Sequence, residues 1–385
     1  MTWNTYPPGV AGDAPGGGTD HGRLRELGYK QELKRHLSAL SNFSISFSVI
    51  SVLTGVTTLY NTGLAFGGPA TMTLGWFVAG AFTMAVGLSM AEICSAFPTS
   101  GGLYYWSARL SGDRWAPFAS WITGWYGTCS LNLFNIVGSI DFSLAQLIQV
   151  IVLLSTGGNN GGGYLASKYV VFAFHAVILL SHAIINSLSI TWLSFFGQLY
   201  AVWNMLGVFA LMVAVPVVAT ERANAKFVFT HFNTDNSAGI HSNIYIFVLG
   251  LLMSQYTLSG YDASAHMTEE TKNADRNGPI GIISAIGISL VVGWGYILGI
   301  TFAVKDIPYL LSPDNDAGGV LVGWIAVLWV VTITVLFSLP VSYPVTKDTL
   351  NYTPVAVGGL FTVILLSWII RARHRFKGPV TNLGG

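Results

Sequence analysis

The chain has 385 residues, of which 52% are hydrophobic and 9% charged, with a formal net charge of +1; a soluble protein carries about 25% charged residues. So few charges exclude a nucleic-acid-binding face or a charged interaction tail and leave no soluble domain for a catalytic core, and they fit an all-α, polytopic protein whose partners are the lipid bilayer and a small molecule. Cys94 and Cys129, both in apolar stretches, make neither a disulfide framework nor a metal cluster.

Residues 1–21 are rich in Gly and Pro and lack the continuous apolar core of a signal peptide, so a disordered tail and an uncleaved first crossing are expected. In GRLRELGYKQELKRHLSAL, residues 22–40, Leu24, Leu27, Leu33, Leu37 and Leu40 recur at near-helical spacing among basic residues. That pattern predicts an interfacial helix, and its positive cluster puts the N-terminus inside. A transmembrane region over 41–370 and a C-terminal tail over 371–385 follow. The region holds about nine hydrophobic stretches long enough, or nearly so, to span: 43–66, 70–97, 115–155, 169–188, 190–219, 243–274, 279–304, 320–340 and 355–370. The third, with Gly138 and Asp141, reads as one long tilted helix or as a helix plus a shorter one. Before it, Pro98 and Gly101-Gly102 mark a turn into a short surface helix on the inner face; residues 220–242 form a polar outer loop.

Two stretches carry interruptions. In FSISFSVISVLTGVTTLYNTGLAFGG, Thr54-Gly55 followed by Thr57-Thr58 breaks the apolar pattern near half-depth, and Ser259-Gly260-Tyr261-Asp262 does the same after IYIFVLGLLMSQY. Backbone groups freed in hydrocarbon cost several kcal/mol each unless they face protein, water or a ligand. Two such breaks are therefore expected to line one cavity, where the N–H groups of a starting half-helix suit a carboxylate and the carbonyls of an ending one suit an ammonium. Each run alone also reads as small-residue helix packing; the pair, at the first and sixth segments, fits a five-plus-five inverted repeat. Asp262 is expected to face that cavity, or else to end a short helix at the interface with His266, Glu269, Glu270 and Lys272 solvated beyond it. His175 and His182, two turns apart on the fourth segment, raise a metal or proton relay, against the simpler reading of packing or an interhelical hydrogen bond. No nucleophile–base set occurs at useful spacing, so neither enzyme activity nor a cofactor is expected.

LGYKQELKR at 27–35, FGGPATMTLGW at 66–76, AEICSAFPTSGGLYYWSARL at 91–110 and SGYDASAHMTEETKNADRNGPIG at 259–281 resemble amino acid permeases of the amino acid-polyamine-organocation superfamily. They are especially similar to the plant and fungal branch of bidirectional amino acid transporters and GABA permeases. The resemblance spans residues 22 to about 310 and implies transport of amino acids or related amines by alternating access, on an inverted-repeat fold with discontinuous helices 1 and 6. Carried over by position, it puts Leu53, Thr54 and Gly55 where the substrate carboxylate binds. Tyr256 falls on a gating aromatic, and Ser259, Gly260, Tyr261 and Asp262 fall on the sixth-helix break. Asn273, Arg276 and Pro279 match the following loop, with Ala274 in place of the usual Pro. Asn204 stands where several proton-coupled relatives have a lysine, which implies that a lysine-type proton switch is absent; it also reads as a side chain bonding a neighbouring helix.

The family has about twelve crossings, and helices corresponding to eight, nine and ten are missing here, so the second repeat is incomplete. An inside N-terminus and seven crossings put residues 305–319 outside. Two more would place Arg371, Arg373, Arg375 and Lys377 outside, against the positive-inside rule, and the Asn351-Tyr352-Thr353 glycosylation site inside. Loss of three crossings from a longer form explains the conflict. The expectation is a multi-pass protein of the plasma membrane or an organelle membrane such as the mitochondrial one, with its first-half substrate residues retained and its transport cycle impaired. The alternative is a non-transporting membrane protein that binds a ligand or a full-length partner.

Overall fold

Inside a bilayer the backbone must satisfy its own hydrogen bonds, which makes helix the default, and every regular element among the described residues is helical. The computed structural model describes residues 19–311, except 30, 32, 129–130, 158–161, 187–189, 220, 237–238 and 305, together with 362, 366 and 368–372. The expected N-terminal tail up to residue 18, the stretch at 320–340, most of 355–370, Asn351 and the tail from 373 lie outside the described residues.

A short helix α1 (Thr19–Glu26) precedes the first crossing, which consists of two half-helices, α2 (Ala39–Ile50) and α3 (Val52–Ala65). The chain reverses at Gly67, φ 82°, and Pro69 opens α4 (Gly68–Ala96), whose missing N–H is no loss in a first turn. At 1.5 Å per residue α4 is about 43 Å long, more than the ~30 Å hydrocarbon core. It stops at Phe97, before Pro98, because a residue preceding proline disfavours the helical region. Then come α5 (Gly102–Leu110), α6 (Gly112–Thr128), α7 (Leu131–Ser155), α8 (Lys168–Asn186) and α9 (Ile190–Val218). The short α10 (Ala225–Thr230) sits in the polar loop. The sixth crossing is again divided, into α11 (Asn243–Thr257) and α12 (Ala263–His266), and is followed by α13 (Ala274–Thr301) and α14 (Ile307–Leu310). Ala39–Ala65, Gly68–Ala96, Ser194–Val218 and Ala274–Thr301 are each long and apolar enough to cross a membrane.

The third stretch is helical on both sides of residues 129–130, as α6 and α7; those two residues lie outside the described ones. The core lies between α4 and α13, where glycines let the helices close: Gly80 faces Leu290, Gly87 faces Ile286 and Gly293 faces the fully buried Trp76, whose Nε1–H donates to the Leu290 carbonyl at 2.9 Å.

The inner face departs from expectation. Helix covers Thr19–Glu26 and not 22–40; Leu27 and Gly28 turn back on α1, and the described residues from there to Ser38 form a non-helical strap. Leu24, Leu27 and Leu37 are buried against protein, whereas Leu33 and Leu40 are exposed, so the leucine spacing marks packing onto the permease body and not an apolar face laid on lipid. The physical reason is a better use for the backbone. Leu37 N–H donates to the Glu270 carbonyl at 2.9 Å and Lys272 N–H donates to the Leu37 carbonyl at 3.0 Å, forming a one-residue parallel bridge to Thr271. Arg35 donates to the carbonyls of Thr268, at 3.1 Å, and Thr271, at 2.5 Å; Gln31 donates to that of Glu269; and Glu269 also accepts from Ser100 Oγ at 2.7 Å. Arg23 reaches the Ala96 carbonyl at the end of α4. The strap therefore ties the ends of α4 and α12 to the start of α2.

Trp368, in the turn Trp368–Ala372, lies 5.2 Å from the ring of Phe118 and 6.1 Å from that of Trp121 in α6. That part of α6 runs beside α5, with Gly124 against Tyr104, on the side where Ser100 meets the strap. Trp368 is thus on the face where the positive-inside rule wants the basic residues that follow it.

Arg35→Ala should speed limited proteolysis within residues 27–38 several-fold, since two carbonyls lose their donor. Burial, and secondly the charge of Glu269, hold the Glu270 carboxyl above its ordinary value of 4.5. A raised carboxyl favours the folded form in acid: its contribution is complete below 4.5 and is lost as pH rises through the raised value. The unfolding midpoint should accordingly fall more from acid to neutral pH in the wild-type chain than in Glu270→Gln.

Candidate substrate site

The first break is a single residue. Ser51 takes φ 41° and ψ 70°, a left-handed conformation; its N–H donates to Phe47 O, ending α2, and its carbonyl accepts from Gly55 N–H, starting α3. The expected interruption at Thr54-Gly55 and Thr57-Thr58 is therefore displaced by three residues, and all four are helical. Threonine hydroxyls can fold back onto their own helix: Thr57 donates to Leu53 O at 2.6 Å and Thr58 to Thr54 O at 2.9 Å, so no backbone break is needed to satisfy them. Leu53, Thr54 and Gly55 nevertheless lie in the first turn of the half-helix. Ser51 makes no side-chain cap there, its hydroxyl being bonded to that of Thr54 at 2.8 Å. The N-terminus of α3 thus presents backbone N–H groups and the positive end of its dipole, about half an elementary charge, with no carboxylate in α2, α3, α9 or α11 to neutralise it.

Asn204, on α9, stands at this turn. It is 6% exposed; its Oδ1 accepts the Leu53 N–H at 3.3 Å, and its Nδ2 is buried without a partner. Asn204 therefore acts as a neighbouring-helix cap, one of the two readings of this residue, and it leaves one amide donor unanswered beside the N-terminus of α3.

The second break lies where expected. α11 ends at Thr257; Leu258 N–H donates to Ser254 O, and Ser259 Oγ donates to Tyr256 O at 2.7 Å. Gly260, φ 88°, turns the chain in a conformation that a side chain would resist. Tyr256 is 8% exposed in the core. Tyr261 O accepts from Ser46 Oγ at 3.4 Å, and Asp262 begins α12 with its Oδ2 3.5 Å from Nε2 of His266. The Asp262 side chain is partly exposed and turned along its own half-helix, not toward the first turn of α3.

Packing brings the two breaks together. A Cβ on Gly55 would lie 2.8 Å from Thr257 Oγ1 and 2.9 Å from Thr257 Cα, and one on Gly260 would overlap Val49. On the outer side α3 packs on α11; on the inner side α2 is joined to α12 by fully buried polar contacts. Ser46 and Ser264 hydroxyls are 2.6 Å apart, Ser264 N–H donates to Ser46 Oγ at 2.9 Å, and Asn42 Nδ2 donates to Thr271 Oγ1 at 2.9 Å. Thr57 and Tyr296 hydroxyls, 2.8 Å apart, tie α3 to α13. The residues that the sequence patterns did not single out are Ser51, Asn42, Ser46, Ser264 and Thr257; the visible signal was a high density of polar residues in α2, Ser41, Asn42, Ser44, Ser46 and Ser48, running up to Ser51.

A helical membrane protein whose first and sixth crossings are both broken, with the breaks in contact, has the architecture of the inverted-repeat transporters. The chain matches the amino acid permease family over residues 37–316 and belongs to it. It is similar to the amino-acid permease BAT1 homolog of Oryza sativa subsp. japonica, 60% identical with all of both chains covered, and to amino-acid permease BAT1 of Arabidopsis thaliana, 50% identical over 94% of this chain and 96% of the relative. With the GABA-specific permease of Saccharomyces cerevisiae it shares 34% identity over 79% of this chain, but only 51% of that relative is covered. The rice alignment runs over 528 positions against 385 residues here, a difference of 143. That is more than enough for three crossings of about 20 residues with their connections. The second repeat is incomplete, and the chain is an integral membrane protein.

Gly55→Ala should lower stability by about 1–3 kcal/mol, because the added methyl meets backbone at Thr257 and cannot be accommodated by a side-chain rotation. The unfolding midpoint in detergent would report it, with Gly22→Ala, which meets nothing, as the control.

Proposed function

We propose that the chain binds an amino acid, or a related amine such as GABA, at the junction of the two breaks and moves it across the membrane by alternating access. The substrate carboxylate lies against the first turn of α3, at Leu53, Thr54 and Gly55, with the free amide donor of Asn204 as its side-chain partner. The amine faces the carbonyl end of α11 and the turn Ser259, Gly260, Tyr261 and Asp262, and Tyr256 closes over the site. What supports this reading above all is the contact between the breaks combined with a buried, unanswered Asn204 Nδ2: a donor that costs ~1–3 kcal/mol when unsatisfied is answered by a bound acceptor. The buried hydroxyl and amide contacts between α2 and α12 support motion of the two inner half-helices as one body.

A second reading rests on the 143-position shortfall: the chain binds substrate without moving it, because elements that would complete the second repeat are absent. Uptake of labelled amino acids by proteoliposomes, set beside equilibrium binding in detergent, separates the two. Binding with flux is the expected result. Asn204→Asp keeps the acceptor for Leu53 N–H but repels a carboxylate, and it should weaken binding about tenfold or more with little change in the unfolding midpoint; undiminished binding would remove the site from α3.

A further inference from the structure

The inner strap has a second side that neither the fold nor the substrate junction uses. Leu37 is buried and Arg35 donates to carbonyls after α12, whereas Lys34, His36 and Ser38, alternating with them, are exposed. Lys272 and Arg276 are exposed next to this edge. The Lys272 N–H donates to the Leu37 carbonyl at 3.0 Å, and the Arg276 N–H donates to that of Asn273 at 3.1 Å, in the first turn of α13.

Two crossings begin here and set the depth of this surface. His36 stands three residues before Ala39, where the span Ala39–Ala65 starts, and Lys272 two before Ala274, where the span Ala274–Thr301 starts. The second span has 28 residues; at 1.5 Å per residue it is about 42 Å long, about 12 Å more than the hydrocarbon core, so its first turn lies among lipid headgroups. Leu40, 63% exposed in the first turn of α2, marks where apolar surface begins.

The neighbouring carboxylates are engaged elsewhere. Glu26 pairs with Arg23 at 2.8 Å, and Glu269 accepts from Ser100 and from the Leu33 N–H. Glu270 is half-buried, which leaves Asp275 as the exposed acid at the start of α13. Among the described residues the outward surface therefore sets Lys34, Lys272 and Arg276 against one carboxylate.

We propose that this surface docks on anionic phospholipid headgroups of the inner leaflet, and that docking holds the strap against the segment after α12. Each Lys or Arg close to an anionic leaflet favours the docked form about fivefold. The opposite side of the strap carries the bonds to residues 268–272, so a strap held by lipid keeps the inner half-helices α2 and α12 fastened. Lipid composition thereby regulates how readily the inner wall opens.

Hydrogen exchange at the Leu37 and Lys272 amides, which form the bridge, tests the docking on the full chain in nanodiscs. Replacing about a quarter of a phosphatidylcholine bilayer by phosphatidylserine should slow both amides about fivefold or more. The Gly67 and Ala70 amides, bonded to Asn233 and His231 at the outer end, should not change. The slowing should disappear in Lys34→Gln/Lys272→Gln and shrink in high salt, which screens charges at a surface. Inorganic phosphate added to phosphatidylcholine nanodiscs should have no effect. If the double variant does not fold, Lys34→Gln alone should still reduce the slowing. Equal exchange in the two bilayers, slowing that survives the variants, equal slowing at Gly67 and Ala70, or slowing by inorganic phosphate each overturns the proposal. No substrate or flux enters these measurements, so failure of the transport reading leaves them intact.

Discussion

A peptide N–H or C=O released inside a bilayer has to be answered by something other than water, and most of this structure follows from how the two broken crossings meet that demand. At the first break Ser51 uses its own N–H and carbonyl to close both half-helices, and Asn204 from α9 answers the Leu53 N–H. At the second, Ser259 answers the end of α11 and Ser46 reaches the carbonyl of Tyr261. At each break the local bonds are completed by one from another helix, Asn204 of α9 at the first and Ser46 of α2 at the second. The contact between the breaks, Gly55 on Thr257 and Gly260 on Val49, is a condition of the fold as much as a feature of the site.

The same economy explains the inner face. α12 is one turn long, too short to hold itself as a helix in isolation. It is kept in place by the hydroxyl and amide contacts with α2 and by the strap, whose backbone pairs with residues 270–272 and whose Arg35 collects carbonyls of the turn after α12. The junction between the half-helices is thereby given an inner wall made of two short pieces fastened to each other.

How much of this could be read from the sequence varied with the kind of signal. The sixth-helix break was legible because Gly260 and Asp262 are poor tenants of a continuous apolar helix. The first was legible only as a region: Thr54, Gly55, Thr57 and Thr58 look disruptive in composition, yet threonine back-bonding keeps them helical and Gly55 serves close packing, so the turn falls at Ser51. Leucine spacing over 24–40 had the period of an amphipathic helix, but the partner that met Leu37 was a backbone edge after α12. Asp141 and His182, 41 positions apart, have no local pattern that couples them.

By itself the sequence determined the membrane class, the order of the crossings, the presence of interruptions in the first and sixth, the family resemblance and the shortened second half. These rest on composition, run length and linear motifs, which do not depend on what a residue touches. Only the tertiary structure decided that Ser51 is the turning residue, that Asn204 caps the first turn of α3, that the strap pairs with the segment after α12, and that Asp141 pairs with His182. Those outcomes depend on which polar groups from distant segments arrive at the same place, and in hydrocarbon that meeting settles where a backbone can afford to break.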